Sequence, residues 1–347
     1  LCSCGAVSDS SQTDSSSKAA ATTTADTTAD TTTTGEASST ASATSAPDSS
    51  VSNSSSAVTD DTKTNGITPA MWKVTSPEGN TMVMLGSFHA LKDECYPLPE
   101  AVTNAYNNAD ILAVECDITS TSEDGEYMKN LMKQMLYNDN TKLSQHISEE
   151  AYSALQTYLG YWGMDISALE VYRPWAVSRT LDTLLIQDSD FDTEKGLDNF
   201  LLTTAHADGK EIYEVESVDF QMNMLINFSD DIYDLMFRSF EGETKESQKQ
   251  ALEDLYTAWK SGDIETFLEE DNEEELAGYT EEDKKIAEDY NNQMLYDRNK
   301  NMAKAAEDLM SQGKNVFYVV GAAHYAGEGG IIDLLEKDGY TAERVQY

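Results

Sequence analysis

The chain has 347 residues, with 63 Asp and Glu against 23 Lys and Arg, giving a formal net charge of −40 at pH 7. A surface of that sign repels polyphosphate, which excludes nucleic acid as a partner and points to a solvated domain acting on peptides or small molecules. No stretch of the sequence approaches the length of a transmembrane span.

In chain order, "LCSCG" comes first: Leu1 lies three positions before Cys4, with the small Ser3 between. This resembles the end of a bacterial lipoprotein signal, with Cys4 the expected lipid carrier and Cys2 the weaker acceptor. Residues 5–66 are almost wholly Ser, Thr, Ala, Asp and Gly. So few large apolar side chains cannot offset the entropy of ordering, so the segment is read as a disordered tether. Residues 67–347 are then the folded domain, extracytoplasmic and attached to the membrane through the lipid only.

That domain opens with strand signals, "MWKVTS" at 71–76 and "NTMVMLGSFH" at 80–89, joined by the turn-prone "PEGN" as a hairpin. "PEAVTNAYNNAD" at 99–110 has a Pro start, an acidic first turn and helical apolar spacing, and "ILAVECD" at 111–117 is an apolar strand ending in acids. Strand, helix, strand implies a right-handed crossover between parallel strands. A mostly helical stretch follows, through "EYMKNLMKQMLYN", "SEEAYSALQTYLGYWG", "ALEVYRPWAVSRTLDTLLIQ" and "GLDNFLLTTAHADG". The strand "GKEIYEVES" at 209–217 interrupts it. Further helices, "VDFQMNMLINF", "KQALEDLYTAWKSG" and "EDYNNQMLYDRNKNMAKAAEDLMSQG", lead to the strand "NVFYVVGAAH", the helix "GIIDLLEKDG" and a closing strand "YTAERVQY". The expected fold is α/β, a mixed sheet with a large helical insertion. The acidic run 267–285 is read as solvated helix faces.

Four strands present an ionisable group at the carboxyl end: His89, Glu115, Glu216 and His324. Ligands of open α/β sheets bind outside those ends, so the four are expected to converge on one crevice. Gly86 and Gly321, each three positions before a histidine, suit positive φ or close backbone approach where strand becomes loop. A single Gly-x-x-His is more often structural, but two at matching places after matching strands argue for a site. Two neutral imidazoles with Glu115 make a donor set for a divalent transition metal (Mn, Co or Zn), able to acidify a bound water. His146, in a polar stretch, is expected to be exposed, and His206 to sit at a helix end; both are left outside the site. Cys116 reads as a small buried side chain, and a Cys95–Cys116 bridge is left open.

"MLGSFHALKDECYPLPEAVTNAYNNADILAVECD" resembles the opening signature of the TraB/PrgY/GumN family, which includes the TIKI proteins. "VYRPWAVSRTL", "GLDNFLLTTAHADGKEIYEVESVDFQ", "AWKSGD", "DRNKNMA" and "VFYVVGAAHYAGEGGIIDLLEKDGYTAERV" are similar to its further blocks, from about Met71 to the carboxyl terminus. The resemblance implies a fold related to the haem-binding ChaN and erythromycin-esterase proteins. It implies that His89, Glu115 and His324 occupy the family's proposed metal and catalytic positions. Asp198, Glu216, Arg298 and Asn299 match as supporting polar positions, with Arg298 alternatively just pairing a buried acid. TIKI relatives are metal-dependent proteases, and PrgY and TraB relatives are linked to limiting peptide pheromone activity. Cys116 departs from the apolar or small residue usual after the glutamate. The expected function is an extracytoplasmic metal-dependent, peptidase-like hydrolase, with Glu115 as ligand or general base and Arg298 steadying an oxyanion. The alternative is a non-catalytic surface protein that captures a peptide or haem-like ligand.

Overall fold

The computed structural model describes residues 66–121, 125–271 and 278–347. The expected lipidation site Cys4, the tether up to residue 65 and residues 272–277 of the acidic run lie outside them.

Six strands form one mixed sheet: β1 (Met71–Thr75), β2 (Thr81–Ser87), β3 (Ile111–Val114), β4 (Glu211–Glu214), β5 (Val316–Gly321) and β6 (Thr341–Arg344), in the order β4-β3-β5-β2-β1-β6. β1 and β2 are the expected antiparallel hairpin. Its turn is closed by the Ser76 hydroxyl, which accepts from the amides of Glu78 and Asn80, and by Gly79 at φ 91°. β2, β3, β4 and β5 run parallel, while β6 pairs antiparallel with β1. β2 and β3 share a direction as expected but do not touch, because β5 enters between them. Every residue of β3 and β5 is buried, which is why both read as unbroken apolar runs.

Helices α1 (Glu100–Asn108), α2 (Ile118–Thr121), α3 (Gly125–Gln134), α4 (Glu149–Tyr161), α5 (Pro174–Gln187) and α6 (Leu197–Asp208) precede β4. After it come α7 (Val218–Asn227), α8 (Asp230–Arg238), α9 (Lys245–Ser261), α10 (Glu281–Asn291) and α11 (Asp297–Met310), and α12 (Ile331–Lys337) follows β5. Ser148, Ser217, Ser229, Thr244 and Thr280 each accept a backbone N–H at a helix start, and Gly209 and Gly262 end α6 and α9 in the left-handed region. Helix over the whole of 168–187 is not what forms. Pro174 holds Arg173 extended at ψ 155°, so α5 begins at the proline and residues 166–168 make one 3₁₀ turn.

Two apolar clusters result. One packs α1, α6, α9, α11 and α12 against the sheet around Leu85, Leu112, Phe317 and Val319; the other joins α4, α5, α7 and α8 around Leu155, Tyr158, Trp175 and Phe237. The second is the helical insertion, and α11 reaches from it towards the sheet: Met294, just before α11, belongs to the insertion, while Met302 within α11 belongs to the sheet cluster. Between α10 and α11 the turns widen to a π segment, Asn292–Tyr296.

α10 docks on α8 through Asp283. Its carboxylate accepts from the Thr280 amide and hydroxyl at 2.9 and 2.7 Å and from the Arg238 guanidinium. Arg238, then Thr280, hold the Asp283 pKa down at about 2, against an ordinary 3.8. A carboxylate whose folded pKa is depressed stabilises the fold above its unfolded pKa, and that stability is lost as pH falls through the folded value. Asp283→Asn is therefore expected to cost about 2 kcal/mol at neutral pH. In urea unfolding curves the gap to the parent protein should narrow as pH drops from about 4 towards 2; a gap independent of pH would remove this account.

Candidate active site

Ser87 pairs with Gly321, and Val114 pairs with both Val319 and Glu214. The carboxyl ends of the four parallel strands thus lie within two residues of one another, and the residues just beyond them leave by one edge. The ladder continues one step past β3 and β4, where the Glu216 amide donates to the Glu115 carbonyl at 2.7 Å. Glu115 and Glu216 become neighbours, with both side chains buried.

Two buried carboxylates side by side need a cation, and α11 supplies Arg298, 1 % exposed. Nη2 donates to Oε2 of Glu115 at 2.7 Å and to Oε2 of Glu216 at 2.8 Å; Nε donates to Glu216 Oε1 at 2.9 Å, and Nη1 to the Met294 carbonyl of the π segment at 3.0 Å. Gln221, from α7, donates Nε2 to both carboxylates at 2.9 Å. The Gly321 amide gives Glu115 Oε1 a hydrogen bond of 2.7 Å. Burial alone would raise the Glu115 pKa, but the Arg298 charge, helped by the Gly321 amide, brings it to about 2. The oxyanion role expected of Arg298 does not fit these surroundings. A guanidinium this buried, bound to two carboxylates and a carbonyl, acts as a clamp.

His324, fully buried, is fixed by Asn299 on the next position of α11. The Asn299 amide donates Nδ2 to the Gly329 carbonyl at 3.0 Å, which turns Oδ1 towards His324 Nδ1, 2.6 Å away. That oxygen demands a donor, so the proton sits on Nδ1 and Nε2 carries a lone pair. Burial first, and then the Arg298 charge, push the His324 pKa down to about 3 against the pull of Glu115. The neutral ring thus aims an Nε2 without a hydrogen-bond partner at Glu115 Oε1, 3.7 Å away.

His89 is placed by α6. The Leu197 amide donates to the Phe88 carbonyl at 3.0 Å, and Gly196 lies so close that a Cβ there would stand 2.2 Å from the His89 carbonyl oxygen. This approach brings Asp198 Oδ2 within 2.6 Å of His89 Nδ1. Burial lowers the His89 pKa, but with 28 % of the side chain exposed that effect is incomplete, and the Asp198 carboxylate, supported by Glu115, raises it to about 9.

Of the polar residues expected at the site, Glu115, Glu216, Arg298, Asn299 and His324 lie in one contact network, while His89 and Asp198 form a separate hydrogen-bonded pair that feels the charges of Glu115 and Arg298. Neither glycine before a histidine has positive φ: Gly321 lies at φ −53°, whereas Gly86 serves close approach, since a Cβ would meet Ala322 Cα at 3.0 Å. His146 is not exposed but half-buried, stacked on Tyr137 and bound to Asp230 at 2.8 Å. His206 sits in the last turn of α6 and meets Asp117 at 2.8 Å. Cys95 and Cys116 are both buried and unbridged. Sequence reading missed Gln221. Its only signal was position, a polar side chain in the first turn and a half of a helix that starts next to Glu216.

The group expected from the sequence is a divalent transition metal ion. Among the described residues no three or more His, Cys, Asp or Glu side chains stand assembled around one point. The pair His324 Nε2 and Glu115 Oε1 nevertheless fits: two donors about 2.0–2.2 Å from a common ion lie about 3–4 Å apart, and theirs are 3.7 Å apart. Both histidines hold Nδ1 against an oxygen, the arrangement that orients a metal-binding imidazole.

A model of the TraB/PrgY/gumN family matches residues 70–344. The chain is 25 % identical over 293 residues to a metalloprotease TIKI homolog of Nematostella vectensis, covering 72 % of this chain and 61 % of that one. It is 26 % identical over 157 residues to the uncharacterized protein YbaP of Escherichia coli (strain K12), covering 45 % and 56 %, and 25 % identical over 164 residues to metalloprotease TIKI2 of Danio rerio, covering 42 % and 32 %. The matches thus span between a third and three fifths of these relatives' lengths. No solved structure matches the chain.

The clamp has a measurable consequence. Arg298→Met leaves Glu115 and Glu216 buried without their cation, a change expected to cost about 3–5 kcal/mol and to lower Tm by roughly 6–20 °C. A melting curve within a degree of the parent's would show that the triad does not hold the strand ends.

Proposed function

The chain belongs to the TraB/PrgY/gumN family, and from that premise we propose that it is a metal-dependent, peptidase-like hydrolase whose ion is held by His324, Glu115 and His89. The observation that carries this reading is the pair of electron-pair donors, His324 Nε2 and Glu115 Oε1, facing each other across 3.7 Å in a buried pocket. Two such groups repel unless a positive centre lies between them. The printed names of the Nematostella and Danio relatives, both metalloproteases, support the same chemistry.

An ion of the Mn²⁺, Co²⁺ or Zn²⁺ class there would supply Lewis-acid polarisation of a scissile carbonyl and acidify an attacking water. The protein's own groups do the rest. Asp198 holds a proton on Nδ1 of His89 and fixes the ring's direction. Asn299 does the same for His324. Glu115 Oε2 is taken up by Arg298 and Gln221 while Oε1 faces His324 Nε2, so of its two expected roles the ligand is favoured. Arg298 keeps that carboxylate ionised and in place. On this reading water and substrate enter from the side of His89, whose side chain is 28 % exposed, since Glu115, Arg298 and His324 are buried. Display outside the cytoplasmic membrane, through a lipid on Cys4 and the polar tether, is part of the proposal; its support is the "LCSCG" sequence and the composition of residues 5–66. Among the described residues no helix is long and apolar enough to cross a membrane.

Purified protein is expected to cleave members of a peptide library when Mn²⁺, Co²⁺ or Zn²⁺ is added and to stop on chelation. The His89→Ala, His324→Ala double variant should be inactive with every ion. Cleavage that survives both treatments would defeat the assignment, and ion binding with peptides left intact by mass spectrometry would favour ligand capture without turnover.

A further inference from the structure

Gln221 is 4 % exposed and makes three hydrogen bonds, all with the groups around Glu115. We propose that Gln221 is a positioning residue: its carboxamide turns the Glu115 carboxylate so that Oε1, rather than Oε2, faces His324. The inference rests on the reading of Glu115 as an ion ligand given above.

Arg298 binds Glu216 through Nε and Nη2 and binds Glu115 through Nη2 to Oε2. That guanidinium contact sets a distance to Oε2 and leaves the tilt of the carboxylate to its other partners. Gln221 Nε2 grips the same Oε2 from a second direction at 2.9 Å and spends its other N–H on Glu216 Oε2 at 2.9 Å. With Oε2 held twice and the Gly321 amide on Oε1 at 2.7 Å, the remaining electron pair of Oε1 is left for the His324 side. The amide itself is held in one sense. Its oxygen accepts from Cys116 Sγ at 3.3 Å, and a flipped amide would set that oxygen against two carboxylates. The helix start delivers the side chain: the Ser217 hydroxyl accepts the Phe220 amide at 3.1 Å, and the Ser217 carbonyl accepts the Gln221 amide at 3.1 Å. Cys116, the departure from the usual residue after the glutamate, thus acquires a task in fixing the amide.

Co²⁺ titration of the full chain tests this, read by calorimetry and by the visible d–d absorption, which reports ligand arrangement. The parent protein is expected to bind Co²⁺. Gln221→Met should bind it about 10–100-fold more weakly, with an altered d–d band and a melting temperature close to the parent's. Cys116→Ala should weaken binding in the same direction, and Cys116→Ser, which restores a donor to the amide oxygen, should recover it; this pair decides the matter if Gln221→Met does not fold. Parent-like affinity and spectrum in Gln221→Met, or equal affinities in the two Cys116 variants, overturn the positioning role while leaving the ion site standing. A parent protein that binds no Co²⁺ overturns the site reading and this inference with it.

Discussion

Arg298 is the point on which the site is built. Backbone pairing past the ends of β3 and β4 forces Glu115 and Glu216 together in a place closed to water. Two adjacent buried carboxylates are tolerated only because one guanidinium binds both, and the desolvation of all three charges is offset only while every partner is present. The cation comes from α11, whose entry carries Met294 in the insertion core and whose body carries Met302 in the sheet core. The clamp therefore sits at the seam of the two apolar clusters. The π segment before α11 contributes the Met294 carbonyl that takes up Nη1, so the widened turn has a role in seating the charge.

A division of labour follows from the topology. Sheet edges supply the groups that would face a ligand: His89, Glu115 and His324, all just past parallel strands. Helices supply the groups that set their state: Asp198 from α6, Gln221 from α7, Arg298 and Asn299 from α11. The two histidines end in opposite conditions for this reason. Both present Nδ1 to an oxygen, but His89 faces a carboxylate at the rim and His324 a neutral amide in the interior beside a guanidinium. One ring is carried up to about 9 and the other down to about 3.

The same division explains what was legible in the sequence. Strand ends are local: an apolar β-branched run, a glycine and a histidine fall within ten residues, so β2, β3, β5 and their terminal groups could be read directly, as could the hairpin turn at Gly79. Partners on helices are separated by 109 positions for His89 and Asp198, 106 for Glu115 and Gln221, and 183 for Glu115 and Arg298. Periodicity carries nothing about such distances. Asp198, Arg298 and Asn299 entered only through the family resemblance, and Gln221 did not enter at all. α8 went unread because its nine residues start beside the cap of the preceding helix, so that "NFSDDIYDLMFR" looks like a continuation or a loop. His146 misled for a similar reason, since its polar sequence neighbours say nothing of Tyr137 and Asp230, which fold over it.

Charge balance ties the site to the rest of the molecule. Three carboxylates, Glu115, Glu216 and Asp198, face one guanidinium, and His89 has to give up its extra proton to ligate an ion, so the ion-binding form of the cluster is two negative charges in excess within a chain already at −40. Around buried side chains that excess is felt at a low effective dielectric, so at the proposed site it would favour a small multivalent cation over any anionic group where Glu115 Oε1 and His324 Nε2 converge. The acidic exterior works in the same sense by concentrating cations near the surface, although salt screens that long-range part within about 8–10 Å. At the proposed site, affinity for a cation would therefore be set by the buried cluster, with the exterior governing only how fast one arrives.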